Sequence, residues 1–170
     1  NIFSNKNIEI IKELSSFGHH IGLHLYITHI KENDWNSLNI ELAKQKKILE
    51  IATNLNVDRF SFHRPPNWVL SNRTDTMCNI INMYGPTYFE FTSNPKIIKY
   101  LADSKHRFSY GHPLDNLKYN KYQLLLHPDE WTPIGHPEGK NFTSLIKEQY
   151  DSFQRTLNSE TKNYEKYLSS

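Results

Sequence analysis

HIGLHLYITHIKENDWNSLNIELAKQKKILEIATNLNVDRFSFHRPP, residues 20–66, holds a short apolar run, a long amphipathic run and a second short apolar run. His20 to Ile27 is apolar, partly β-branched and brief, which predicts a strand. Asp34 to Leu55 predicts a helix, because Leu38, Leu42, Gln45, Ile48, Ala52 and Leu55 fall on one stripe with lysines opposite. Asn56 is placed to close it. Arg59 to His63 predicts the next strand, and Pro65-Pro66 cut it short because proline brings no amide hydrogen to a ladder.

Working outward, Ser4 suits the N-cap of a helix that carries Ile8, Ile11 and Leu14 and that Gly18 stops. Downstream, Asn67 to Asp75 reads as a loop with a helical turn near Trp68. Thr76 to Tyr84 reads as a helix ended by Gly85-Pro86, and Thr87 to Thr92 alternates like a strand. Pro95 opens a helix over Lys96 to Tyr100. Short strands are predicted at Leu101 to Ser104 and Phe108 to Tyr110. The near-continuous apolar run Tyr122 to Leu126 predicts a strand buried on both faces. After a loop over Gly135 to Gly139, residues Phe142, Leu145, Ile146, Gln149, Phe153 and Leu157 mark a last amphipathic helix. Strands alternating with helices over the whole length predict an α/β layout on a largely parallel sheet or barrel. The organisation expected is one domain over residues 1–157 with a polar tail over 158–170.

Composition narrows the classes. With 170 residues, 37% hydrophobic and 13% aromatic, the chain has the make-up of a water-soluble globular domain. No apolar run approaches the ~20 residues that a membrane span needs. A net charge of +2 gives no strong electrostatic case for nucleic acid or an anionic membrane. One cysteine, Cys78, excludes an internal disulfide framework and a multi-cysteine metal cluster. No GxGxxG, P-loop, GxSxG or HExxH pattern is present, so nucleotide binding and serine hydrolysis have no motif behind them. The chain begins at Asn1 on the approach to a helix, so an upstream part is expected to be missing. The expected location is cytoplasmic.

In α/β folds the chemistry sits where strands finish. His24 closes the first strand on the same face as His20 and Tyr26, and His29 follows in the loop; two such imidazoles are either metal ligands or polar strand-end residues. Arg64 ends the second strand on a backbone stiffened by Pro65 and Pro66; it either grips a carboxylate with its guanidinium or faces solvent from a turn. His63 alternates away from Arg64 and is read as packing outside the site. Asp103 follows the apolar stretch Ile97 to Ala102, and His127 leaves the apolar strand Tyr122 to Leu126. An aspartate within reach would favour the imidazolium of His127, a usable acid near neutral pH. Trp131 either walls the site or belongs to the core. His106, His112 and His136 are in loop contexts and read as solvated.

The runs GHHIGLHLYITH, FSFHRPP, YLADSKHRFSYGHPLD and YQLLLHPDEW, in this order and at strand ends, resemble the polysaccharide deacetylase family. The likeness is greatest to its divergent deacetylase-like branch, found with surface-polysaccharide biosynthesis. It covers about residues 4–131. The resemblance implies a distorted (β/α) barrel, here lacking its first strand, and a divalent metal, usually zinc, at the carboxyl ends of the strands. It implies His24 and His29 as metal ligands, with four residues between them where the family has three. It implies Arg64 as the residue orienting the base, and His127 as general acid supported by Asp103. The family's Asp-Asp pair, which supplies a ligand and the base, would lie upstream of Asn1; Asp34 and Glu32 are the nearest acids by sequence. The activity implied is removal of an acetyl group from an N-acetylated sugar or polysaccharide. Two other readings remain: an inactive barrel that binds carbohydrate on Tyr26, Trp68 and Trp131, and a metal-dependent hydrolase of another amide or ester.

Overall fold

The computed structural model describes residues 4–89, 98–128, 131 and 138–160. Helix α1 (Asn5–Ser16) starts where predicted, with the Ser4 hydroxyl accepting from the Asn7 amide at 3.4 Å, and ends before Gly18 in the left-handed region at φ 89°. Strand β1 (Leu23–Tyr26) is shorter than the predicted run. Helix α2 (Trp35–Thr53) is capped by Asp34, whose carboxylate accepts from the Ser37 amide at 3.0 Å. It closes at Asn54 rather than Asn56, because Asn54 takes the left-handed conformation (φ 56°) that ends a helix. The stripe it buries is Leu38, Leu42, Leu49 and Thr53; Ile48, expected inside, is exposed, one position off the 3.6-residue repeat that Leu49 keeps.

Strand β2 (Arg59–His63) matches the sequence reading and pairs parallel with β1 in the register Leu23↔Phe60, His24↔Ser61, Leu25↔Phe62 and Tyr26↔His63. Alternation then sorts the two faces. Leu25, Phe60 and Phe62 pack with Ile27, Leu38, Leu42, Trp68, Val69 and Ile80 in the main core, so α2 covers that face. His24, Tyr26, Ser61 and His63 lie on the other.

The short helix α3 (Asn67–Ser71) realises the turn predicted near Trp68. The helix predicted over Thr76–Tyr84 is a hairpin instead: β3 (Thr76–Met77) runs antiparallel to β4 (Ile80–Asn82). Cys78 and Asn79 join them with φ of 48° and 60°. Two left-handed residues in succession make the tight turn that matches strand twist. The ladder of Ile81 and Asn82 with β2 outweighs a weak local helical preference. The first sheet thus has the order β1-β2-β4-β3, parallel except at the β3 edge.

Strand β5 (Lys99–Ala102) begins inside the helix predicted over Lys96–Tyr100 and pairs with β6 (Tyr122–Leu125). The pairing is parallel: Lys99 donates to the Lys121 carbonyl at 3.0 Å and Asp103, four residues on, to that of Leu125 at 3.3 Å. Burial is the reverse of that predicted for β6, where Tyr122 and Leu124 are exposed; all four residues of β5 are buried. Lys99 is among them, its ammonium 5.8 Å from the Tyr119 ring centre. Thr87 and Tyr88 lie in a turn tied to Asp75, not in a strand, and 90–92 fall outside the described residues. Phe108 to Tyr110 is likewise a turn, closed by Gly111 donating to the Phe108 carbonyl at 2.9 Å. Gly139 belongs to helix α4 (Glu138–Glu160), which also takes in the start of the predicted tail.

The chain divides into two compact units, Asn1–Tyr100 with Tyr119–Gln123, and Leu101–Lys118 with Leu124–Ser170. The described strands form one four-stranded and one two-stranded sheet in a mixed α/β chain. Among the described residues no helix is long and apolar enough to cross a membrane.

Candidate functional site

Two groups of chemistry-bearing side chains emerge, one in each unit. The first is built by the β1–β2 register. His24 stands opposite Ser61 and diagonal to His63, so its Nδ1 meets the Ser61 hydroxyl at 2.9 Å and its Nε2 meets Nδ1 of His63 at 3.2 Å. The two imidazoles meet edge to face with centres 5.3 Å apart, and the Tyr26 ring is tilted against His63 at 5.4 Å. Burial, and then the neighbouring His63, hold the His24 imidazole below the usual histidine range, which keeps it neutral at pH 7.

His63 therefore belongs with His24, contrary to the expectation that it packs outside the site. Alternation holds along β2, but Arg64 leaves it by turning left-handed at φ 49°, so the side of Arg64 does not give the side of His63. Arg64 is exposed beyond β2, in a shallow cleft of about 340 Å³ shared with Ile27, Thr28, Ile30, Glu32, Pro66 and Trp68. No carboxylate bonds to it among the described residues. His29 is exposed in the turn after β1. Helix α2 packs on the core face of the sheet, opposite to His24. Asp34 is occupied as the cap of α2, and the Ser37 amide holds its carboxyl below the usual range.

The second group is centred on Asp103, 4% exposed at the end of β5. Its two oxygens accept from the His127 amide at 3.1 and 2.9 Å, from the His127 ring Nδ1 at 2.7 Å and from the Trp131 indole N–H at 2.9 Å. Burial alone would push this carboxyl up; the hydrogen bonds from His127 and Trp131 outweigh it and hold the group below the usual carboxylate range. Parallel pairing of β5 with β6 is what brings Asp103 and His127 to adjacent strand ends. The carboxylate takes Nδ1, so Nε2 is the nitrogen left for chemistry, on a side chain 37% exposed. Trp131 contributes more than the apolar wall expected of it: its indole N–H orients Asp103 while the side chain remains exposed.

Three further expectations meet the structure here. Trp68 is a core residue, in edge-to-face contact with Trp35 at 4.8 Å, which removes it as a stacking platform for sugar. His112 is exposed, as expected, and also caps a short 3₁₀ turn by accepting from the Leu114 amide at 3.2 Å. His136 lies outside the described residues. Among the described residues no three His, Cys, Asp or Glu side chains gather where one metal ion would sit. The donor set that does form, the facing nitrogens of His24 and His63, fits two positions of a divalent ion that takes imidazole. No family model matches the chain, and no curated protein or solved structure matches it.

Proposed function

We propose that the chain is a metal-dependent hydrolase that removes the acetyl group from an N-acetylated sugar or polysaccharide, on the deacetylase type of (β/α) barrel, in surface-polysaccharide biosynthesis. The observation that carries this reading is the Asp103–His127 pair. A nearly buried carboxylate bonded to Nδ1 fixes the tautomer and plane of the ring and compensates the charge of its imidazolium. Hydrolysis of an acetamide adds water across the C–N bond, giving acetate and an amine, and the leaving nitrogen must gain a proton. Nε2 of His127 supplies it, and Asp103 holds the ring on course. A divalent ion, zinc by the resemblance, supplies Lewis-acid activation of water and the acyl carbonyl when bound. His24 is its ligand in this reading. Tyr26 is exposed beside His63 and Trp131 is exposed beside Asp103, and each has an aromatic face of the kind on which a sugar ring stacks.

A carbohydrate-binding chain without chemistry would use the same two aromatics, but it gives no role to a buried aspartate spent on orienting one histidine. The test is release of free amine from N-acetylglucosamine oligomers by the purified chain with zinc. The proposal expects amine in proportion to enzyme and time, with one acetate per amine. Binding of the oligomers without release would replace it with the binding reading.

A further inference from the structure

We infer that His63, rather than His29, is the imidazole that joins His24 in holding the divalent ion. The inference deepens the proposed function and rests on its metal. Two imidazoles on one tetrahedral zinc at about 2.05 Å place their nitrogens roughly 3.3 Å apart and their ring centres roughly 5.2 Å apart. Nε2 of His24 and Nδ1 of His63 are 3.2 Å apart, with centres at 5.3 Å. The pair is therefore spaced for a shared ion before one arrives.

Orientation agrees with spacing. A ligating histidine is usually held by a hydrogen bond at its other ring nitrogen, which fixes the tautomer that points a lone pair at the metal. The Ser61 hydroxyl does this at Nδ1 of His24, leaving Nε2 as the metal-side nitrogen. The Tyr26 ring is tilted against the His63 ring with centres 5.4 Å apart. Parallel β1 and β2 hold all four side chains on one sheet face, a stiffer mount than a turn. His29 is exposed in the turn beyond β1, off the strand pair that carries these four side chains.

Calorimetric titration of zinc chloride into the whole chain and three variants tests this. His24→Ala and His63→Ala should each weaken zinc binding by about tenfold or more, since even a partner that only orients a ligand is worth about 10–100-fold. His29→Ala should leave it unchanged. All three sites are at the surface or half-buried, and ¹⁵N-histidine spectra of the unmutated chain give an independent reading: zinc should shift His24 Nε2 and His63 Nδ1 and spare His29. Loss of binding in His29→Ala with retention in His63→Ala would overturn the inference and leave the proposed function standing. Absence of zinc binding in the unmutated chain would overturn both. Zinc held by His24 and His63 without amine release would uphold the inference and remove the proposed function.

Discussion

At the scale of single residues, Asp103 carries the most chemistry in the fewest atoms. Three N–H donors converge on its carboxylate, and two acceptor oxygens in a nearly buried place serve all of them. Asp103→Asn turns one oxygen into an NH₂ that faces a donor. Leaving buried polar groups unpaired costs about 1–3 kcal/mol, so denaturant unfolding should show a loss of that order. Turnover should fall further than stability alone explains, because the neutral amide no longer compensates the imidazolium. Equal stability in the two proteins would mean that the network is not formed. The His24 imidazole makes a prediction with a definite sign. Its folded value is lowered beneath the unfolded value of about 6.5. A proton is thus bound more readily by the unfolded chain, and the stabilising effect is whole above that value and is lost as pH falls through the folded one. The stability of the unmutated chain relative to His24→Gln should shrink between pH 7.5 and pH 5, measured by thermal melts at each pH. A pH-independent difference would contradict this assignment.

At the scale of elements, most of what positions these groups was written locally. Phe60 and Phe62 alternate with Arg59, Ser61 and His63, so β2 declares an apolar and a polar face, and β1 does the same with Leu25 between His24 and Tyr26. What the alternation lacks is register: that His24 stands beside Ser61 and reaches His63 depends on how β1 is set against β2, a non-local fact. The same gap separates Asp103 and His127, both legible as strand ends, from the parallel β5–β6 pairing that joins them. The hairpin β3–β4 is hidden in the sequence for a different reason. Its turn uses left-handed backbone at Cys78, a residue type with no preference for it, and the strands are too short for a period to show. Packing behind that hairpin makes Gly85 specific: a Cβ there would lie 2.6 Å from the Cα of Asp75, backbone that cannot swing aside. Gly85→Ala should therefore destabilise by about 1–3 kcal/mol, the usual cost of overpacking, read by chemical denaturation. An unchanged midpoint would mean that the Asp75 turn sits farther away.

At the scale of the molecule, the chain keeps α/β character in its parallel pairs, β1 with β2, β2 with β4 and β5 with β6, and a βαβ crossover through α2. Its principal aromatic and aliphatic core serves the first sheet; Asp103 and His127 follow the ends of β5 and β6, where α/β chains place their chemistry, whereas His24, expected to close its strand, is the second residue of β1. The account stands or falls on whether one of those groups transfers a proton. The deciding measurement is amine release from N-acetylglucosamine oligomers by the unmutated chain and His127→Ala, with zinc titrated into both and imidazole then added. Removing a general acid costs about 10²–10⁴-fold in rate. The account predicts a loss of that order in His127→Ala, unchanged zinc affinity and partial recovery with imidazole. Full activity in His127→Ala, or a loss that follows zinc affinity and ignores imidazole, would contradict it.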